Sequence, residues 1–326
     1  MKRILITGIT GLIGKSVLSK LIQFNDTYDI TAIIRPDTNP KRFLGYKDKI
    51  KIEYIDLTNI EALKVYLSRE SFHIILHIGA IRGGRRFSKQ LYYDANVRAT
   101  EQLVDNSLKN KSRFIFCSSV GVFGAIPDEI PANNESPYKE DNYYHYTKIV
   151  AEKIINRAIL KGLDAVILRP SITYGTGDKG FPYQLVKMVN NNIFPICNKN
   201  IWIHMCNIDT IASAFIKLIN EKSSITGVSF NIADVEPVQL KDLVNFIKRQ
   251  LSGRNYSKLL VFDSSLFTIG YFLSNLIHSD LWKSRFELIS KSWFYSVRES
   301  YLQLDLPSHF TIPDFNIVIK DFTQNK

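Results

Sequence analysis

Through the first half of the chain, apolar residues gather in short unbroken runs that alternate with longer stretches of helical period. The runs are "RILIT" (3–7), "DITAIIR" (29–35), "KIEYID" (51–56), "HIILHIG" (73–79), "RFIFCSS" (113–119) and "AVILRP" (165–170). Such near-continuous runs mark strands covered on both faces. Between them, 11–24 places Leu12, Ile13, Val17, Leu18, Leu21 and Ile22 at helical spacing. Further helices are predicted near 59–69, 91–110 and 143–161. The alternation predicts an α/β fold with a doubly wound parallel sheet. Sheets of this kind bind ligands beyond the carboxyl ends of their strands.

After about residue 175 the rhythm loosens. Helices are predicted over 181–193, 207–221 and 239–251, with strands near 201–205 and 228–232. This reads as a smaller mixed lobe folded into the first domain. The sequence shows no repeat, low-complexity tract or linker rich in Gly, Pro or Ser. The most apolar later stretch, "LFTIGYFLSNLI" (266–277), is too short to span a bilayer. A core or lid helix is expected there, with contact to a membrane surface as the other reading.

Charge narrows the partners. The 326 residues carry a formal net charge of +11. The basic residues are scattered, and the densest cluster, "RGGRRFSK" (82–89), carries no nucleic-acid motif. A solvated surface or attraction for phosphorylated small molecules is expected, and no nucleic acid. Cys117, Cys197 and Cys206 have no CxxC spacing, so neither a disulfide framework nor a metal site is expected. Glycines interrupt the apolar start "MKRILITGITGLIG", which argues against a signal peptide. A cytoplasmic protein without a transmembrane segment is the expectation.

The first strand runs directly into "TGITGLIG", with Gly8, Gly11 and Gly14 at a strand-to-helix junction. Glycine there permits a tight turn and close backbone approach to a diphosphate, and the helix N-terminus supplies unpaired N–H groups. A Rossmann-type dinucleotide site follows. Residues 1–175 are then the NAD(P)-binding domain, and 176–326 mainly the substrate-binding lobe, with some segments returning to the core. At the end of the second strand an acidic side chain would take ribose hydroxyls, whereas arginine would welcome a 2′-phosphate. Arg35 stands there, followed by Lys41 and Arg42. This favours NADP(H), with NAD(H) possible; a solvated arginine is the bland reading. Asp56 has two readings: an acceptor for the adenine amino group, or a cap for the helix starting near Asn59.

The stretch "YYHYTK" (143–148) holds three tyrosines and a lysine. On a helix, residues four apart share a face, which pairs Lys148 with Tyr144. An ammonium beside a phenol favours the phenolate and lowers its pKa, making Tyr144 a candidate acid/base. A partner hydroxyl is expected from Ser118 or Ser119 at the end of the fifth strand. Side chains alternate along a strand, so one of the two faces the site.

Together these motifs resemble the extended short-chain dehydrogenase/reductases, the NAD-dependent epimerase/dehydratase group. "TGITGLIG" matches its TGxxGxxG turn, "IDLT" its adenine-site turn, "HIGA" its turn after strand four, and "NVRAT" its NvxGT segment. "SSVGVFG" resembles SSxxVYG, "YHYTK" its YxxxK pair, and "LRPSITYGTGD" its LRPxxVYGPGD. "WIHMCNID" and "GVSFNIAD" resemble later signatures of the substrate lobe. The resemblance implies that Ser119, Tyr144 and Lys148 are catalytic. It implies cofactor contacts from Gly8, Gly11, Leu12, Ile13, Gly14, Arg35, Asp56, Leu57, Ile78, Gly79, Ala80, Asn96, Ser118, Tyr144, Lys148, Pro170 and Ile172. Substrate contacts are expected from Arg82, Val120 and Ser171. A nucleotide sugar is the implied substrate, and a homodimer the implied assembly.

Departures from the pattern narrow the reaction. The acidic pair of the sugar-nucleotide 4,6-dehydratases is replaced by Val120 and Gly121, so elimination is discounted. Ile172 and Asn200 stand where nucleotide-sugar enzymes often carry asparagine and arginine. Arg82, Arg85 and Arg86 are the candidates to grip a diphosphate instead. "SKSWFYSV" and "LQLDLP" resemble members that act as 4-epimerases or 4-ketoreductases in surface-polysaccharide pathways. The other readings are a reductase of a non-sugar ketone and a catalytically idle NADP(H)-binding regulator.

Overall fold

A computed structural model describes residues 1–24, 26–82, 87–220, 225–276 and 280–325, without the side chains of 275, 280 and 281. In chain order the strands are β1 (Lys2–Thr7), β2 (Tyr28–Ile34), β3 (Lys51–Tyr54), β4 (Ile74–His77), β5 (Arg113–Cys117), β6 (Ala165–Pro170), β7 (Ile172–Tyr174), β8 (Ile196–Cys197), β9 (Trp202–Ile203), β10 (Met205–Asn207), β11 (Ser229–Ile232), β12 (Val238–Gln239) and β13 (Val261–Phe262). Among the described residues seven of them form one parallel sheet in the order β11-β6-β5-β4-β1-β2-β3. The chain leaves β1 in one direction to β2 and later returns on its other side at β4. The resulting crevice opens beyond the carboxyl ends of β1 and β4.

Period-two alternation explains why this sheet is covered on both sides. Ile4, Ile6, Ile74, Leu76, Ile115, Val166 and Leu168 all join one apolar layer. It also holds Val17, Leu18 and Leu21 of α1 (Leu12–Leu21) and, from the C-terminal half, Ile211, Phe215 and Leu218 of Ile208–Asn220. Their neighbours Leu5, Ile75, Phe114, Phe116, Ala165 and Ile167 join the opposite layer. There they meet Leu63 and Leu67 of α2 (Ile60–Arg69), a short α3 (Lys89–Tyr93) lying beyond. Leu103 of α4 (Ala99–Asn110) and Ile155 of α5 (Tyr143–Ile159) complete that layer.

The C-terminal half supplies α6 (Phe181–Asn190), α7 (Ile208–Asn220), α8 (Leu240–Ser252), α9 (Ser264–Leu276), α10 (Asp280–Ser290), α11 (Arg298–Leu304), α12 (Thr311–Asp314) and α13 (Asn316–Gln324). A third cluster, with Tyr174, Leu185, Val189, Val244, Trp293 and Phe315, forms the core beneath the lobe. Helix α9 departs from the expected core role. It packs through Phe267 and through Gly270, which lies against the Phe286 ring, but Leu266, Ile269, Phe272, Leu273 and Leu276 are exposed. Among the described residues no helix is long and apolar enough to cross a membrane.

Candidate active site

The cradle at the crevice is built from glycines that no other residue fits. Gly8 has φ +79°, and a Cβ there would lie 2.6 Å from the Gly79 nitrogen. A Cβ on Gly14 would lie 2.1 Å from the Gly8 carbonyl oxygen. The turn therefore presses both against β4 and against the first turn of α1. Gly11 stands at the N-cap with no side-chain cap, so its end of α1 presents bare N–H groups. Leu57 closes the other side, its Cδ1 2.9 Å from the point a Cβ on Gly79 would occupy. These features fit a dinucleotide diphosphate and adenosine.

Behind the cradle a polar relay joins strands. Thr7 Oγ1 lies 2.8 Å from His77 Nδ1 and accepts from the Gly79 N–H at 3.0 Å. His77 Nε2 lies 2.9 Å from Thr100 Oγ1. Burial, helped by the Lys148 charge, holds His77 down to about 3, so the ring is neutral. Thr7 and His77 open the quoted "TGITGLIG" and "HIGA" runs, but neither was singled out, because each reads as the last residue of its strand.

Several predicted cofactor residues act on the frame. Asn96 accepts from Ile81 N–H at 2.8 Å and donates to its carbonyl at 2.9 Å and to Thr147 at 3.0 Å. It fixes the loop after β4 against α5. Asp56 accepts from Thr58 N–H and hydroxyl at 2.9 Å, and the helix cap is Asn59, which accepts from Ala62 N–H. The cap reading of Asp56 is thus replaced by a local turn. Arg35 is exposed beside Asp37, while Arg42 reaches over to donate to the Thr10 carbonyl in the glycine turn.

Four of the expected contact residues also serve the frame. The Ser118 hydroxyl turns inward to donate to Glu152, which also pairs with the Arg169 guanidinium at 2.7 Å, so alternation leaves Ser119 facing outward. The Ser171 hydroxyl donates to the His204 carbonyl, and the Val120 side chain is buried in the lobe core. Both side chains are thereby spent on structure. Ile172 is half-buried and pairs with Met205 in the β7–β10 ladder. Arg85 and Arg86 lie outside the described residues.

Tyr144 is the tyrosine of its trio that meets the site. The Tyr143 and Tyr146 rings lie tilted to each other with centres 5.4 Å apart, and Tyr143 packs edge-on to Tyr92. Tyr144 instead stands beside Ser119 and within reach of the Arg82 charge. Its pKa runs opposite to the sequence expectation. Burial raises it above the ordinary phenol value, the nearby Cys117 adds to this, and Ser119 and Arg82 offset only part. The reason is where Lys148 points. Its Nζ donates to the Cys117 carbonyl at 2.8 Å and lies 4.5 Å from the Phe116 ring centre, and burial holds it down to about 8.

Arg82 is exposed at the opposite wall, with Nη1 3.6 Å from the point a Cβ on Gly180 would occupy. Beside it Asp178 is buried and accepts from the Gly180 N–H at 2.8 Å. Burial holds that carboxyl above its usual range despite Arg82. Asp178 lies in the quoted "YGTGD" run, yet its role as a wall of the cleft depends on Arg82, 96 positions earlier in the numbering.

A parallel sheet with a glycine cradle at its switch point and a tyrosine–serine pair beside it defines a dinucleotide-dependent enzyme of the Rossmann class. The chain belongs to the NAD dependent epimerase/dehydratase family, whose model matches residues 4–233. It is 25% identical to a CDP-abequose synthase from Salmonella muenchen, over 81% of this chain and 87% of that protein. It is 28% identical to a UDP-glucose 4-epimerase from Cyamopsis tetragonoloba, over 57% of this chain and 58% of that one. A UDP-glucuronic acid 4-epimerase from Bacillus cereus, solved with NAD, shares the fold with a TM-score of 0.75, 19% identity and 99% of each chain covered. The Bordetella bronchiseptica enzyme WbmH, solved with NAD+, shares it with a TM-score of 0.78, 14% identity and 100% of each chain covered.

Proposed function

We propose that this enzyme moves a hydride to or from C4 of a nucleotide sugar, as a 4-ketoreductase or 4-epimerase, and that NADP(H) is its preferred cofactor. The observation that carries this reading is the placing of Ser119 and Tyr144 side by side at the carboxyl edge of the sheet, next to a turn whose glycines leave its backbone bare. The kinship with a CDP-abequose synthase and a UDP-glucose 4-epimerase supports the substrate class.

Gly8, Gly11 and Gly14 would hold the cofactor diphosphate, Leu57 would border the adenosine, Lys148 would take ribose hydroxyls, and Arg35 and Arg42 would meet a 2′-phosphate. The bound nicotinamide supplies the hydride donor or acceptor. The chain itself handles the proton. Tyr144 Oη gives a proton to the forming alkoxide in reduction and takes it back from the carbinol in oxidation, while Ser119 hydrogen-bonds the same oxygen. Burial keeps the phenol protonated at neutral pH. Arg82 offers a charge for the substrate diphosphate.

The test is turnover of UDP-, CDP- and dTDP-linked hexoses and 4-keto hexoses with NADPH or NAD+. Net NADPH oxidation on a 4-keto sugar marks a ketoreductase, and C4 inversion without net cofactor change marks an epimerase. Turnover of apolar ketones alone would overturn the nucleotide-sugar reading.

A further inference from the structure

Beside the two catalytic hydroxyls sits an imidazole that the chemistry above does not use. His145 Nδ1 is held by the Asp141 carboxylate. The other oxygen of Asp141 accepts from the Ala125 N–H at 2.6 Å, and Asn142 donates to the first at 3.0 Å. Asn142 also caps α5 by accepting from the His145 N–H at 3.0 Å. Carboxylate and ring are both half-buried. Burial pushes the Asp141 carboxyl up, but His145, the Ala125 N–H and Lys139 together outweigh it and leave it below its ordinary value. An ionised carboxylate only accepts, so the bond to Asp141 needs a proton on Nδ1, and Nε2 is the ring nitrogen that faces Gly121.

Nε2 lies against Gly121, beside Ser119. A Cβ on Gly121 would lie 2.4 Å from Nε2, 2.5 Å from Cδ2 and 3.2 Å from Ser119 Oγ. The ring edge thus fills the space that a side chain at position 121 would need, next to the serine hydroxyl, and glycine is what leaves room for it. The Tyr144 ring centre is 5.7 Å from that of His145. Among the described residues the ring's side-chain polar neighbours, Asp141 and Asn142, both lie at Nδ1.

We propose that His145 is a substrate-contacting residue of this site, its Nε2 accepting a hydrogen bond from a free sugar hydroxyl next to the oxygen that Ser119 and Tyr144 hold. This rests on the nucleotide-sugar reading. Neighbouring hydroxyls on a sugar ring lie about a hydrogen-bond length apart, so a sugar hung on Ser119 presents the next one to the imidazole. An acceptor at this place selects a hydroxyl over a carbonyl or a deoxy position.

The test compares wild type, His145→Asn and Gly121→Ala on the nucleotide sugar of the above panel that wild type turns over best, and titrates each with NADP+ and NAD+ alone. Gly121→Ala leaves the imidazole in the chain but pushes it out of place. Both variants are expected to lose about tenfold or more in kcat/KM, mostly through KM, with cofactor affinity unchanged. An analogue lacking the neighbouring hydroxyl should bring wild type down to the variants' level. Equal KM and kcat in wild type and His145→Asn would overturn the inference and leave the nucleotide-sugar reading standing. Wild-type silence across the whole panel would sink that reading and the inference with it.

Discussion

The Lys148 ammonium donates to the Cys117 carbonyl at 2.8 Å, at the end of β5, and not to the phenol one helical turn before it. That bond, with the Phe116 ring on one side, places a buried cation under the floor of the crevice. The lysine therefore tethers the end of the strand that leads to Ser119.

Its burial predicts a pH dependence. The folded value of about 8 lies below the 10.5 of free lysine. Between those two the folded chain binds fewer protons than the unfolded one, so this group makes stability rise with pH across that window. Below about 8 the cost of burying the charge is present in full. Urea unfolding of wild type and Lys148→Met should show the variant gaining most near neutral pH, with the gap closing toward pH 10.5. A gap that does not change with pH would contradict this.

Gly14→Ala should fail at the cradle. The new carbon meets the Gly8 carbonyl oxygen at 2.1 Å and the Ile9 Cα at 2.8 Å, all backbone. Relief requires the turn to open, at about 1–3 kcal/mol by analogy with overpacked cores. Calorimetry should show a lower Tm and dinucleotide affinity reduced at least tenfold.

The Glu152–Arg169 pair is buried behind Ser118, with side chains 0% and 3% exposed. Removing one charge strands the other in a dry setting. Glu152→Gln should cost about 3–5 kcal/mol in denaturant unfolding. The double variant Glu152→Gln, Arg169→Met should recover part of that loss.

Cofactor choice is tested at Arg35 and Arg42. Replacing both by Ala should weaken NADP+ by about tenfold or more, on the scale of lost charge-assisted hydrogen bonds, and leave NAD+ affinity nearly unchanged. Fluorescence titration with each dinucleotide reads this directly. Equal losses for both would mean that the arginines serve the turn, as the Arg42 bond to Thr10 allows, and not the phosphate.

Five of the six early strands were legible because each is apolar on both faces, as Ile4 and Leu5 show by joining opposite layers, whereas β3, at the sheet edge, keeps Lys51 and Tyr54 exposed. The pairing of Tyr144 with the crevice followed from helical spacing, and Ser119 over Ser118 from alternation once a family pattern was in view. Less legible were features decided by distant residues. The direction of Lys148 depends on a carbonyl 31 positions away. His145 reads as a spacer inside "YHYTK", and becomes a feature of the site only when Asp141 and Gly121 come together around it. Ser171 lies beside the site in the sequence pattern, but its hydroxyl is claimed by His204, in a segment of weak periodicity. Strands of two residues, such as β8 and β13, leave no period to read.

Tyr144→Phe tests the central claim most directly, because it removes one oxygen and leaves the cradle, Ser119 and Lys148 in place. With cofactor bound and the best nucleotide sugar of the panel, turnover should fall about a hundredfold to ten-thousandfold while dinucleotide affinity stays as in wild type. A phenylalanine variant that turns over at the wild-type rate would contradict the account.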